Sequence, residues 1–169
     1  MYDGGLRAGL EDFWESYTSN PLGAGGFLWV FADEAILRED QGGIHDSDGN
    51  HAPDGILGPY REKEGSFYTI KSIWSPIQVE AFVLNPEFDG NIRVTNNYLF
   101  SNLNKTKLNW SIESFNGWKE QSEILTGTTD LPEGRPGETR IVNLDLPNSW
   151  AKGDVLNLTA IGINGEELY

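Results

Sequence analysis

The hydrophobic pattern of this chain changes at about residue 77, and that change limits the folds open to it. Before residue 77, apolar residues recur at helical spacing or form one short unbroken run. After it, they alternate with polar residues, as in β-strands that bury one face. The sequence therefore predicts two domains of different class, residues 1–77 and residues 78–169.

Two helices and one strand are predicted in the first region. The run Phe27–Ala32 lies between glycines and acidic residues, which favours a strand covered on both faces, as in a parallel sheet. A single strand and two helices cannot close a core, so this region is expected to be the end of something larger. The apolar stripes of the helices are Leu6, Leu10, Phe13, Trp14 and Tyr17 in the first and Phe67, Ile70, Ile73 and Trp74 in the second.

Residues 33–64 show no periodicity and are rich in Gly, Pro, Asp and Asn. A structureless loop of this length is uncommon in a compact domain and is usually functional or disordered. The spacing of Asp46, Asp48 and Asn50 suggests a calcium loop, but the sixth position is His51 instead of Gly, and the twelfth is not Glu. A solvated turn is the favoured interpretation.

The second region is predicted to be an antiparallel β-sandwich. Short alternating segments are separated by turn signals such as Asn116-Gly117 and the Pro- and Gly-rich stretch 132–137. The predicted strands are 77–83, 92–95, 108–113, 120–126, 139–146 and 154–163.

Composition excludes several classes of function. The chain has 26 acidic and 12 basic residues and a net charge of -14, which disfavours nucleic-acid and anionic-membrane partners. With no Cys and two His, thiolate chemistry and a His-rich metal site are also disfavoured. The N-terminus lacks the residue order of a secretory signal, so the compartment stays undetermined, with periplasmic and extracellular locations left open.

A family resemblance lies in two short motifs and in the order of the elements around them. The motifs are Gly25-Gly26-Phe27-Leu28-Trp29-Val30-Phe31-Ala32-Asp33 and Asp54-Gly55-Ile56-Leu57. With a helix before, an acidic loop between, and a helix and sandwich after, this order resembles the end of the catalytic barrel in family 2 glycoside hydrolases, above all β-galactosidases. The implied fold is α+β: the last helix-strand-helix of a (β/α)8 barrel over 1–77, then an antiparallel immunoglobulin-like sandwich over 78–169.

The resemblance implies a function for a longer enzyme, called here the parent enzyme. That enzyme would be a retaining glycosidase acting on β-galactoside-type carbohydrates through two Glu side chains. In the family both lie on earlier barrel strands, so no catalytic residue is expected in this chain, which would not be catalytic alone. The implied partners are the carbohydrate substrate and the remaining domains of the parent enzyme, and the chemistry itself requires no cofactor.

Three residues are candidate substrate-binding positions by this resemblance. Trp29 and Phe31 would supply an aromatic wall at the end of barrel strand eight, although filling the barrel or packing under helices explains them equally well. Asp54 stands where the family tends to carry Asn near a monovalent cation and the substrate. It is therefore the candidate metal ligand for a monovalent or divalent cation in the parent enzyme, and an Asx turn before Gly55 is the alternative.

The adjacent acids Asp33 and Glu34 are expected to have a structural role. Neighbouring residues of an extended segment point to opposite faces, so these two carboxylates cannot flank one glycosidic bond. A different class of function also stays open: an independent, non-catalytic sandwich that binds carbohydrate or protein through Trp118 or the 33–64 loop.

Overall fold

The computed structural model describes residues 8–49, 51–115 and 121–168. The chain divides into two compact units, Met1–Trp74 and Ser75–Tyr169. The sequence analysis placed this boundary between residues 77 and 78. Trp118 and the Asn116-Gly117 turn lie outside the described residues.

The first unit contains the two predicted helices, which are therefore confirmed. Helix α1 spans Ala8–Ser19 and helix α2 spans Gly65–Trp74. Their indoles meet, since the Trp14 and Trp74 ring centroids are 5.3 Å apart. The chain turns after α1 where the Asn20 side chain accepts a hydrogen bond from the Leu22 N–H, and Pro76 follows α2 closely.

The prediction of a covered strand at Phe27–Ala32 is wrong for this chain. The segment bends at Trp29 and at Phe31, and its only β-bridge in the described part of the chain is a single parallel one from Ala32 to Leu57. The Trp29–Val30 peptide bond is cis. A strand needs neighbours to satisfy its backbone groups, and the described residues of this unit provide one short neighbour at one end.

The prediction of a structureless loop over 33–64 is also wrong. Strand β1 (Ile36–Arg38) pairs with strand β2 (Ile44–Asp46) in a small antiparallel hairpin. The Arg38 guanidinium joins the two strands, donating to Asp40 Oδ2 at 2.7 Å and to Asp46 Oδ2 at 3.0 Å. The hairpin is therefore held by charge-assisted hydrogen bonds as well as by its backbone.

The second unit is the predicted antiparallel sandwich. One sheet has the order β3-β4-β7 and the other β6-β5-β8, and all pairs are antiparallel. The first strand is shorter than predicted because its pairing with β4 ends after Val79. The strands are β3 (Ile77–Val79), β4 (Asn91–Asn96), β5 (Lys107–Phe115), β6 (Gln121–Asp130), β7 (Thr139–Asn143) and β8 (Val155–Ile161).

One core fills the space between these sheets. Alternate residues of β5 are buried, so Trp110 lies inside, as its alternation with apolar neighbours predicts. The Asn96 amide is fully buried and donates to the carbonyls of Ser101 and Gly134, both at 2.9 Å. The apolar core residues are Ile77, Ile92, Val94, Leu103, Leu108, Trp110, Ile112, Leu131, Val142, Leu144 and Ala160.

None of the helices described is long and apolar enough to cross a membrane.

Candidate functional site

The two motifs that carry the family resemblance lie side by side in the first unit. The Leu57 N–H donates to the Phe31 carbonyl at 3.1 Å, and the Asp33 N–H donates to the Leu57 carbonyl at 2.8 Å. Earlier in the segment, the Val30 N–H donates to the Asp54 carbonyl at 3.4 Å. Residues far apart in the sequence are thus brought together by backbone hydrogen bonds.

The Asp33 side chain also joins these segments. Its carboxylate is buried, with 7% of the residue exposed, and Oδ1 accepts from the Gly55 N–H at 2.7 Å. Gly55 leaves no space for a side chain, since a Cβ there would lie 2.3 Å from the Asp33 nitrogen. The expected structural role of Asp33 thus takes a specific form, a carboxylate that holds one backbone N–H.

The aromatic candidates Trp29 and Phe31 are exposed, at 75% and 64% of their surface. Phe27, two residues before Trp29, is fully exposed. These three side chains are called here the aromatic row. An apolar surface of this kind in a soluble protein usually marks a binding site or a surface that another part of the protein covers.

Asp54 is partly buried, and its Oδ1 has no hydrogen-bond partner among the described residues. The donor that an Asx turn would use, the Ile56 N–H, instead donates to the Phe31 carbonyl at 3.3 Å. A buried carboxylate oxygen without a partner is costly, so it usually has a ligand, a water or a cation. Asp54 therefore carries a buried carboxylate oxygen whose hydrogen-bonding capacity is unsatisfied among the described residues.

In the described ranges, no group of three or more His, Asp or Glu residues is close enough to hold a metal ion. The Asp46 carboxylate is already used, since Oδ1 accepts from the Asp48 N–H at 3.0 Å and Oδ2 accepts from Arg38. His51 Nδ1 lies 3.0 Å from the Asp48 carbonyl. These contacts are those of a turn.

The second unit has a shallow polar hollow that the sequence did not predict. Its volume is about 340 Å³, and it lies over the outer face of the β6-β5-β8 sheet. Thr128 donates to Asn109 Oδ1 at 2.9 Å, and Asn157 donates to Glu113 Oε1 at 2.9 Å. The polar side chains that line it are Asn109, Ser111, Thr126, Thr128, Asn157 and Thr159.

Comparison with known proteins gives consistent matches. Residues 92–166 match the family model described as β-galactosidase, domain 4. The chain is 31% identical to the β-galactosidase of Pectobacterium atrosepticum over 120 residues, which is 64% of this chain and 11% of that protein. It is 24% identical to the β-galactosidase of Oenococcus oeni over 176 residues, 88% of this chain and 16% of that protein. For the β-galactosidase of Priestia megaterium the identity is 25%, over 82% of this chain and 14% of that protein.

A solved structure of the exo-β-D-glucosaminidase CsxA, described with a glucosamine-configured castanospermine and an amino-australine analogue, covers 96% of this chain and 17% of its own. Its TM-score is 0.38 and its sequence identity 15%.

The sandwich and these sequence matches define the class: a mostly β chain related to glycoside hydrolases. Within that class the chain is similar to β-galactosidases, and the resemblance inferred from the sequence is confirmed. It spans between 11% and 16% of the length of the three relatives named above.

Proposed function

We propose that this chain is part of a retaining glycoside hydrolase that acts on β-galactoside-type carbohydrates. It would contribute the segment Phe27–Ala32, which would become barrel strand eight only beside the other strands of the longer enzyme, together with the loop that follows and a structural sandwich domain, and it is not catalytic alone. The observation that carries this proposal is the aromatic row, which is exposed on a segment with a single β-bridge. The surrounding barrel of a longer enzyme would supply the missing strand neighbours.

The strand order supports an immunoglobulin-like assignment for the sandwich. In such a fold the second strand pairs with the fifth, and the third with the sixth. Here the second and fifth sandwich strands are β4 and β7, which pair, and the third and sixth are β5 and β8, which also pair. We assign the sandwich a structural role beside the barrel.

Trp29 and Phe31 would bind the apolar face of a sugar ring. An indole and a phenyl ring both offer a flat apolar surface, and pyranose C–H groups pack well on such surfaces. Asp54 would accept a hydrogen bond from a sugar hydroxyl through its carboxylate. The two kinds of contact together would fix both the plane and the rotation of one sugar ring.

The described residues do not fit the cation that the family resemblance implies. Asp54 Oδ1 is one free oxygen, whereas a hard cation takes about six oxygen ligands. The nearby carboxylate of Asp33 is engaged with the Gly55 N–H. No step of the proposed function therefore depends on a cation held by this chain.

The chemistry of the parent enzyme would need two carboxyl groups roughly 5 Å apart. Asp33 is unsuited to either role because it is buried and hydrogen-bonded to the backbone. This chain would position the substrate, while other segments of the parent enzyme would supply the nucleophile and the acid/base.

A second candidate function is supported by the polar hollow on the outer face of β5. Amide and hydroxyl groups spaced along strands can bind the hydroxyls of a neutral glycan. Under this alternative the chain would be an independent, non-catalytic sandwich that binds carbohydrate or protein.

One experiment separates the two candidates. An antibody raised to residues 78–169 is used to probe and then deplete an extract of the source cells, which is assayed with a chromogenic β-galactoside. We expect a band several times heavier than 18.8 kDa, and loss of galactoside hydrolysis from the depleted extract. A band at the mass of this chain, with hydrolysis unchanged by depletion, would contradict the proposed function and favour the binding module.

A further inference from the structure

Asp54 is fixed in place from both sides by hydrogen bonds, one to its own carbonyl and one from the N–H of the next residue. Its own carbonyl accepts from the Val30 N–H at 3.4 Å, within the peptide segment that carries Trp29 and Phe31. The next N–H along the chain, that of Gly55, is held by the Asp33 carboxylate at 2.7 Å. The second bond is the shorter one, and its acceptor is charged, so it is the stronger restraint.

The close packing at Gly55 makes this restraint specific. A side chain there would overlap the backbone of Ala32 and Asp33, at 2.5 Å and 2.3 Å from the nearest atoms. The two segments can approach this closely only because residue 55 is glycine. Asp33 and Gly55 are thus complementary, one supplying the acceptor and the other the space.

A buried carboxylate usually destabilises a protein unless it is hydrogen-bonded, so the burial of Asp33 requires a compensating interaction. Its neighbour Glu34 is exposed, and the Glu34 N–H donates to the Ala52 carbonyl at 3.2 Å. The backbone bonds of both residues would survive with any side chain except proline at position 33. What only an acceptor side chain can supply is the bond to Gly55.

We propose that Asp33 is a positioning residue of the carbohydrate site. By accepting the Gly55 N–H, it fixes the orientation of Asp54 relative to the aromatic row. Asp33 does not touch the sugar and acts through Asp54, which would bind a ring hydroxyl. This inference rests on the proposed function for its consequence in catalysis, but the Asp33–Gly55 bond can be tested without it.

The test compares three variants of the natural polypeptide that contains this sequence, purified at its full length. Asp33→Asn keeps an oxygen acceptor of nearly the same shape, Asp33→Ala removes it, and Glu34→Ala is the matched control at an exposed acid. Initial rates with a chromogenic β-galactoside give kcat and KM, hydrogen exchange gives the protection of the Gly55 amide, and thermal unfolding reports on folding.

In Asp33→Ala we expect kcat/KM to fall about tenfold or more, mainly through KM, and Gly55 exchange to quicken about tenfold. Asp33→Asn and Glu34→Ala are expected to match the wild type within about threefold in both measurements. If the carboxylate had only a structural role, the unfolding temperature would fall, but Asp33→Asn and Asp33→Ala would not differ in kcat/KM and in Gly55 exchange.

Two results would overturn the proposal. The first is unchanged Gly55 exchange in Asp33→Ala, and the second is an equal loss in Asp33→Asn and Asp33→Ala. If no variant and no wild-type preparation hydrolyses a galactoside, the proposed function fails, and the exchange data alone then decide whether Asp33 holds Gly55.

Discussion

At the scale of single residues, two glycines permit contacts that any other residue would block. Gly55 allows the backbone of residues 32 and 33 to approach, and Gly127 gives space to the indole of Trp110. A Cβ on Gly127 would lie 2.1 Å from the nearest indole carbon. Trp110 and Gly127 are direct partners on β5 and β6, so the indole lies across the neighbouring strand.

The variant Gly127→Ala should therefore destabilise the sandwich. Since the indole belongs to a close-packed core, it can move only by displacing other buried side chains, at a cost of about 1–3 kcal/mol. Urea denaturation of the chain, with the unfolding transition of the sandwich monitored, measures this decrease in the free energy of unfolding.

Thr128→Ala is the control for that variant, because Thr128 is exposed on the same strand. It should change the free energy of unfolding by about 0.5 kcal/mol or less. Equal stability of Gly127→Ala and the wild type would mean that the indole does not pack over Gly127.

These contacts mark the limit of what the sequence could predict. Alternation predicts that Trp110 is buried, and it is, because alternation reflects which face of a strand meets the core. Its contact with Gly127 and the bond between Asp33 and Gly55 join residues 17 and 22 positions apart. No local pattern encodes such pairs, since they depend on how the chain folds back on itself.

At the scale of elements, the hairpin of β1 and β2 is the part that the sequence missed. Each strand has three residues, which is too short for alternation to be recognised. At Phe27–Ala32 a covered strand is predicted and none forms, because the composition of this exposed apolar run is that of a buried strand. Whether such a run becomes a strand depends on neighbours that the run itself does not specify.

The hairpin should loosen in acid. Hydrogen bonds from the Arg38 guanidinium hold the pKa of the Asp40 carboxyl below its ordinary value. A lowered pKa in the folded state stabilises that state above the ordinary aspartate pKa of about 3.9, and the contribution disappears as the pH falls through the lowered value. Carboxyl chemical shifts should show Asp40 titrating at a lower pH than an ordinary aspartate, and the turn that joins β1 to β2 should weaken below about pH 4.

Arg38→Gln provides the comparison for this pH dependence. Without the guanidinium, the Asp40 pKa should return toward its ordinary value. If Asp40 titrates identically with and without Arg38, the ion pair does not hold the hairpin in solution.

At the scale of the whole molecule, the two units differ in how much apolar surface they bury. Among the described residues, the first unit has two buried apolar side chains, Leu57 and Ile70, while the second has the whole sandwich core. Burial of apolar surface is the main stabilising term in folding, so the second unit should be much the more stable.

Limited proteolysis of the intact chain with trypsin tests this difference. Arg61 and Lys63 lie in an exposed stretch of the first unit, whereas Arg93 and Arg140 lie in paired strands of the sandwich. We expect cleavage after Arg61 and Lys63 well before cleavage in the sandwich strands, because proteases cut segments that open easily. Mass spectrometry of early products identifies the sites, and early cleavage at Arg93 or Arg140 would contradict the expected order.

The exposed aromatic row has a consequence for solutions of this chain. Rings that face water attract one another, while the net charge of -14 keeps separate chains apart. Whether the chains stay separate in solution therefore depends on that charge, as in a charge-stabilised colloid. Near pH 4, where carboxyl groups take up protons, or in salt strong enough to reduce the screening length to about 3 Å, the repulsion fades and the rings draw the chains into clusters.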